Sequence, residues 1–164
     1  MNPVALGSLA HFWPAGNDLR YLGFWCLLPD HVGRWREERD RILPSPWRDR
    51  GRFEAAAGQV RRTSGKLVQF IGELLNESLG TRFSQRYWTI VLWVWANWFT
   101  AETFDRYAHL LHARDLLNDF DTAGISPSIP IDVGAFREPF RQELFELQRL
   151  SRMLHWLEMP FEVR

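Results

Sequence analysis

The segment Arg86-Tyr-Trp-Thr-Ile-Val-Leu-Trp-Val-Trp-Ala-Asn-Trp-Phe99 decides the fold of this chain. It contains four of the nine tryptophans. An indole ring buries on the order of 200 Å² and its N–H needs a hydrogen-bond partner, so four of them require a specifically shaped packing site. Ser84 precedes the segment as a candidate N-cap. We therefore expect a helix over residues 85–114 that is apolar all round in its first half and central in the fold.

Two other segments have helical periodicity. Apolar residues recur at steps of three and four over residues 52–79, which Gly80 ends, and again over residues 136–157. The aromatic run at residues 20–28 fits a buried strand of a parallel sheet. The sequence thus predicts an α-rich α/β fold. Three long helices would pack around a small parallel sheet in a single domain of residues 1–164.

Composition limits the classes of function. Twenty basic and twenty acidic residues give no net charge, so no global field attracts nucleic acid. Cys26 is the single cysteine, which excludes an intrachain disulfide and favours a reducing compartment, so we expect the cytoplasm. The apolar run at residues 87–99 is shorter than the roughly 20 residues of a membrane span. We expect no transmembrane segment, with peripheral contact to a membrane as the alternative.

Candidate catalytic groups are few. Asp105, His109 and His112 share one helical face and could hold a metal, but a solvated patch near a helix C-terminus is the alternative that we favour. Cys26 is either a nucleophile or an inert core thiol, and its neighbour Trp25 favours the core. The chain has no glycine-rich phosphate loop and no zinc-site spacing, and we predict no cofactor and no metal.

Aromatic side chains offer another kind of site. Trp25, Trp35 and Trp47 could form a platform on which the apolar face of a sugar stacks, but packing in the core is the alternative that we favour. Arg106 follows Asp105 and could orient an anionic group, or the two side chains could form a buried pair that holds the helix. The residues alone leave both alternatives open.

Five short motifs recur in an order and spacing that resemble a known family. They are Tyr21-Leu-Gly-Phe-Trp-Cys26, Leu43-Pro44 with Trp47 and Asp49-Arg50, Leu75-Asn76 with Gly80, Ser84-Gln-Arg-Tyr-Trp88, and Phe104-Asp-Arg-Tyr107. The chain resembles the N-terminal part of a family of glycosyltransferase-like enzymes from bacterial surface-polysaccharide (O-antigen) gene clusters. The resemblance covers nearly the whole chain and about the first third of a typical member.

The resemblance implies an incomplete Rossmann-like N-terminal domain on the acceptor side of a two-domain transferase. The partners would be a nucleotide-sugar donor, a glycan acceptor and a C-terminal domain or chain that carries the donor site. We expect the 164-residue chain to be transferase-like but inactive alone. The substrate-facing residues that the resemblance suggests are Trp25, Trp47, Asp49, Arg50, Arg86, Asp105 and Arg106. A non-catalytic binding module that uses the Trp-rich helix is the alternative.

The chain also departs from the family pattern. An acidic residue usually stands at the position of Phe24, and a Gly-Pro pair at Trp93-Val94. Other polar positions of the pattern differ at Pro46, Arg48, Ser78 and Thr89. The large apolar residues are kept while several polar ones are lost, which favours descent from an enzyme over full activity.

Overall fold

The computed structural model describes residues 2–28, 31–117, 120–124, 139–159 and 161–163. Within these ranges the chain forms four α-helices and five short strands. They are α1 (Trp35–Glu38), α2 (Arg50–Leu79), α3 (Gln85–Leu117) and α4 (Pro139–Trp156), with β1 (Asn2–Ala5), β2 (Arg20–Tyr21), β3 (Phe120–Asp121), β4 (Ala123–Gly124) and β5 (Glu162–Val163). The chain divides into two compact units: the sheet unit, Met1–Ser45 with Tyr107–Arg164, and the hairpin unit, Pro46–Arg106.

The three long helices predicted from the sequence are present, and α2 and α3 lie close to their predicted bounds. Ser84 caps α3, because its hydroxyl accepts a hydrogen bond from the Tyr87 N–H at 3.3 Å. Gly80 ends α2 in the left-handed conformation (φ 63°), which a residue without Cβ adopts without strain. The predicted start of the third helix, residues 136–138, lies outside the described residues.

The sheet unit contains the small parallel sheet. Its strands lie in the order β2-β1-β3, with Val4 opposite Arg20 and Asn2 opposite Phe120. A second parallel pair joins β4 to β5. The α-rich fold with a small parallel sheet is therefore confirmed.

The strand predicted at residues 20–28 is shorter than expected. Only Arg20–Tyr21 is a strand, and a 3-10 turn follows at Phe24–Leu27. The chain turns there because two of its side chains bond to carbonyls at the end of β1. The Trp25 indole donates to the Leu6 carbonyl at 3.0 Å, and the Cys26 thiol donates to the Ala5 carbonyl at 3.3 Å.

The sheet unit has one continuous hydrophobic core. Strand residues pack against the last turns of α3 and the described part of α4. Its fully buried large side chains are Val4, Leu6, Tyr21, Leu22, Leu27, Leu110, Leu150 and Leu154. Thr122, just after β3, donates its hydroxyl to the Val4 carbonyl at 2.9 Å and so fastens β3 to β1.

The hairpin unit consists of α2 and the first part of α3, joined by residues 81–84. The Asn76 side chain fixes this loop: its amide donates to the Phe83 carbonyl at 2.9 Å, and its oxygen accepts from the Phe83 N–H and the Thr81 hydroxyl. Trp88 packs directly on Gly72, where a Cβ atom would come within 2.7 Å of the indole ring. Val68, Trp88 and Ala96 form the buried cluster between the helices.

The prediction that the first half of α3 is buried all round was wrong. Trp88 and Ala96 are buried against α2, whereas the opposite side of the helix faces solvent. The exposed side chains on that side are Tyr87, Ile90, Val91, Val94, Trp95 and Trp98. Hydrophobic periodicity shows that a helix is apolar, but it does not show how many of its sides find a partner. No helix in the described part of the chain is long and apolar enough to span a bilayer.

Candidate functional site

The hairpin unit contains an open groove of about 410 Å³ at the end remote from the 81–84 loop. Small side chains leave room for it, because Ala56 and Ala57 of α2 and Ala101 of α3 line the groove. The groove is lined by Trp47, Phe53, Ala56, Ala57, Val60, Asn97, Ala101, Phe104 and Asp105. It is thus mostly apolar with a few polar groups, as small-molecule sites usually are.

Trp47 stands just before α2, in a 3-10 turn at Pro46–Arg48. The turn passes into α2 at Asp49, the N-cap, whose carboxylate accepts a hydrogen bond from the Arg52 N–H at 3.1 Å. The Trp47 and Phe53 rings meet edge to face, with centroids 6.3 Å apart. The cap therefore holds two aromatic rings at one side of the groove.

A hydrogen bond across the unit fixes the orientation of Trp47. Its indole N–H donates to Asp105 Oδ1 at 2.6 Å. Arg106 Nη1 donates to Asp105 Oδ2 at 2.7 Å, and Arg106 Nη2 donates to Glu102 Oε1 at 3.2 Å. All three charged side chains are largely buried. Charge-assisted hydrogen bonds in such surroundings are stronger than neutral ones, so the indole is held rigidly.

The structure brings together three of the predicted site residues: Trp47, Asp105 and Arg106. The alternative of an Asp105–Arg106 pair that holds the helix is also realised, since the two side chains form an ion pair. The Asp105 carboxylate thus pairs with Arg106 within α3 and also orients Trp47 at the groove.

Three other predicted site residues lie outside the groove. Asp49 caps α2, and Arg50 forms an exposed ion pair with Glu54 at 2.8 Å. Arg86 is exposed at the start of α3, roughly 28 Å along the helix axis from Asp105 at 1.5 Å per residue. A single small substrate in the groove cannot contact both Arg86 and Asp105.

Trp25 belongs to the sheet unit. Its indole donates to the Leu6 carbonyl, and its ring meets His109 edge to face with centroids 4.8 Å apart. Cys26 beside it is completely buried, which keeps the thiol away from substrates. Trp35, the third member of the sugar-stacking platform considered above, lies in α1 and is partly exposed.

The described residues contain no group of three or more His, Cys, Asp and Glu side chains that could hold a metal ion. His109 is buried and packs on Trp25, so one of the two histidines considered as ligands has a structural role.

Sequence reasoning missed Phe53 and Asn97 as lining residues. Phe53 lies one helical turn after Asp49, and Asn97 lies two turns before Asp105, so both have helical spacing to motif residues. Phe53 and Asn97 line the same groove because α2 pairs with α3. The spacing of residues within one helix does not predict that pairing.

Residues 3–160 match the sequence profile described as LIC12162 family transferase. No curated protein and no solved structure matches the chain.

Proposed function

Since the chain belongs to the LIC12162 family of transferases, we propose that it serves glycosyl transfer in the synthesis of a bacterial surface polysaccharide (O-antigen). In this proposal the groove of the hairpin unit binds the glycan acceptor. The enzyme would work in the cytoplasm, at the acceptor side of a two-domain transferase.

The observation that carries this proposal is the hydrogen bond between Trp47 and Asp105 at 2.6 Å, at the edge of an apolar groove. A sugar ring has an apolar face that packs on an indole and hydroxyl groups that need hydrogen-bond partners. A carboxylate oxygen has two lone pairs, so Asp105 can accept a hydroxyl while it still holds Trp47. The Asn97 amide adds a donor and an acceptor in the same groove.

The family resemblance suggests which part of the enzyme binds the donor and which part binds the acceptor. Transfer from a nucleotide sugar requires groups that stabilise the departing diphosphate as charge develops. We assign those groups to a further domain or partner chain, and residues 1–164 to the acceptor side. The parallel order β2-β1-β3 supports an incomplete Rossmann-like domain as the source of the sheet unit. On this assignment the 164-residue chain alone binds a glycan but does not transfer a sugar.

Thermal melting with two panels of ligands tests the proposal. One panel holds methyl glycosides of glucose, galactose, mannose, rhamnose and N-acetylglucosamine, and the other holds nucleotide sugars. We expect at least one glycoside at millimolar concentration to raise the melting temperature of the wild-type chain. Trp47→Ala should abolish the rise, and Asp105→Asn should reduce it.

Trp156→Phe is the matched control, because Trp156 is exposed on α4 in the sheet unit and takes no part in the groove. This variant should respond to the glycoside as the wild type does. A glycoside effect that persists in Trp47→Ala, or no effect from any glycoside, would contradict the acceptor site. A rise with a nucleotide sugar alone would instead place a donor site in these residues.

A non-catalytic binding module is the second candidate function. The solvent-facing apolar side of α3 favours it, since an exposed patch of this size usually marks an interaction site.

A further inference from the structure

Six apolar side chains on the solvent side of α3 form a continuous surface, which we call the α3 stripe. Consecutive members are three residues apart or adjacent, which places them on one face of the helix, and they are between 42% and 78% exposed. The members of the α3 stripe are Tyr87, Ile90, Val91, Val94, Trp95 and Trp98. The opposite side of the same helix holds the buried residues Ala96 and Thr100, and Trp88 is buried at the border of the stripe. The helix is therefore apolar on two sides, and α2 covers only one of them.

The spacing within the α3 stripe is that of a helix–helix contact. Tyr87, Val91, Val94 and Trp98 follow at steps of four, three and four, which is the heptad seam of paired helices. Ile90 and Trp95 flank this seam on its two sides. No charged residue interrupts the helix between Arg86 and Glu102. The occupant that fits such a seam is another helix with a matching apolar face.

We propose that the α3 stripe binds the α3 stripe of a second copy of this chain, in an arrangement with twofold symmetry. A twofold interface uses the same patch on both subunits, so one stripe is enough to build it. The inference rests on the surface that favours the binding-module function and does not depend on the groove.

The exposed area is enough for a weak dimer. At about 200 Å² for a fully exposed aromatic side chain, and less for Val and Ile, the exposed fractions give the stripe roughly 550 Å² per copy. Two copies would bury up to roughly 1,100 Å² in total, just above the roughly 1,000 Å² that a specific interface requires. The tryptophans and tyrosine in it are residues that contribute strongly to binding at interfaces.

The residues that border the stripe disfavour a bilayer as the occupant. A helix that lies in an anionic membrane surface carries Lys and Arg along the borders of its apolar face. Between the exposed cation Arg86 and the carboxylate Glu102, the borders of the α3 stripe hold no basic residue.

Sedimentation velocity over a hundredfold range of protein concentration tests the proposal. The wild-type chain should pass from monomer to dimer, whereas Val94→Glu should stay monomeric because it places a carboxylate at the centre of the interface. Since Val94 is 78% exposed, Val94→Glu should keep the far-ultraviolet circular dichroism of the wild type.

Phe70→Glu is the matched control. Phe70 is 59% exposed on α2, outside the stripe, so this variant should dimerise as the wild type does.

Other results would overturn the proposal. A wild-type chain that is monomeric at every concentration, or a Val94→Glu dimer, would exclude the stripe as a self-association surface. A monomer that floats with phosphatidylglycerol vesicles, and loses this property in Val94→Glu, would assign the stripe to a membrane. Each of these results leaves glycoside binding by the groove unaffected, so the two proposals fail separately.

Discussion

The sheet unit and the hairpin unit use their apolar residues in opposite ways. In the sheet unit, large side chains such as Leu22, Leu110 and Leu154 are completely buried in one cluster. In the hairpin unit the buried cluster is small, and large side chains such as Val94 and Trp98 face solvent. The buried cluster of the sheet unit is therefore much larger than that of the hairpin unit.

The contrast extends to the surfaces of the two units. In the sheet unit, the Trp25 indole and the Cys26 thiol are used in hydrogen bonds to carbonyls at the end of β1. The hairpin unit keeps an open groove on one part of its surface and the α3 stripe on another. Apolar surface exposed to water costs free energy, and such patches usually exist for binding. We therefore regard the hairpin unit as the binding part of the chain.

The largest expected effect separates the two sides of α3. Trp88→Ala should lower the free energy of unfolding by about 3–5 kcal/mol, because it removes a buried ring that packs on Gly72. Trp98→Ala, on the stripe, should cost less than about 1 kcal/mol in dilute monomer. Urea unfolding of both variants measures the contrast. Equal costs would mean that α3 is not divided into a buried and an exposed side.

A smaller effect tests how closely the two helices approach. Gly72→Ala should cost about 1–3 kcal/mol, because the new Cβ atom would lie 2.7 Å from the Trp88 ring. Gly65→Ala, in the same helix and with no atom within 4 Å of the new Cβ, should stabilise the chain by about 0.5–1 kcal/mol. Thermal melting of the pair gives the sign of each change. If Gly72→Ala also stabilises, the hairpin is looser than described.

The smallest effect concerns pH and belongs to the sheet unit. Burial raises the pKa of Tyr21 above 10.0, and Glu38 raises it further, while Arg34 and Arg41 oppose the change. The folded chain therefore prefers the neutral phenol. This contribution to stability is complete below pH 10 and is lost as the pH rises through the raised pKa of the folded state.

Absorbance at 295 nm follows the ionisation of the three tyrosines. Ionisation of Tyr21 should accompany unfolding, because the folded chain holds this phenol in its neutral form. Tyr21→Phe should remove this part of the alkaline loss of stability. An identical alkaline profile in Tyr21→Phe would show that the buried phenol does not control it.

Local signals in the sequence predicted the helices well. The apolar periodicity of α2 and α3, the cap at Ser84 and the stop at Gly80 depend on neighbours within one or two turns, and all are present in the structure. The strand β1 escaped prediction, because Asn2–Ala5 contains a proline and too few residues to show alternation. The exposure of the α3 stripe could not be predicted either, since periodicity does not reveal which apolar side is covered.

The candidate site was predictable only in part. The family resemblance suggested Trp47, Asp105 and Arg106 as substrate-facing residues, but it did not predict that their side chains bond to one another. The hydrogen bond between Trp47 and Asp105 links positions 58 residues apart, and it forms because α2 and α3 pair as a hairpin. The resemblance also named Arg86, which the length of α3 separates from the groove.

The most direct test of the central claim, that the groove binds a sugar on Trp47, is a two-dimensional ¹H–¹⁵N spectrum of the nine indole N–H groups. The Trp47 signal is identified by its absence in Trp47→Phe. The chain is then titrated with the methyl glycoside that raises the melting temperature most. We predict a saturable shift of the Trp47 signal, since its N–H bonds to Asp105 at the groove, and no shift of the Trp156 signal. A Trp47 signal that stays in place while the glycoside binds would contradict the account.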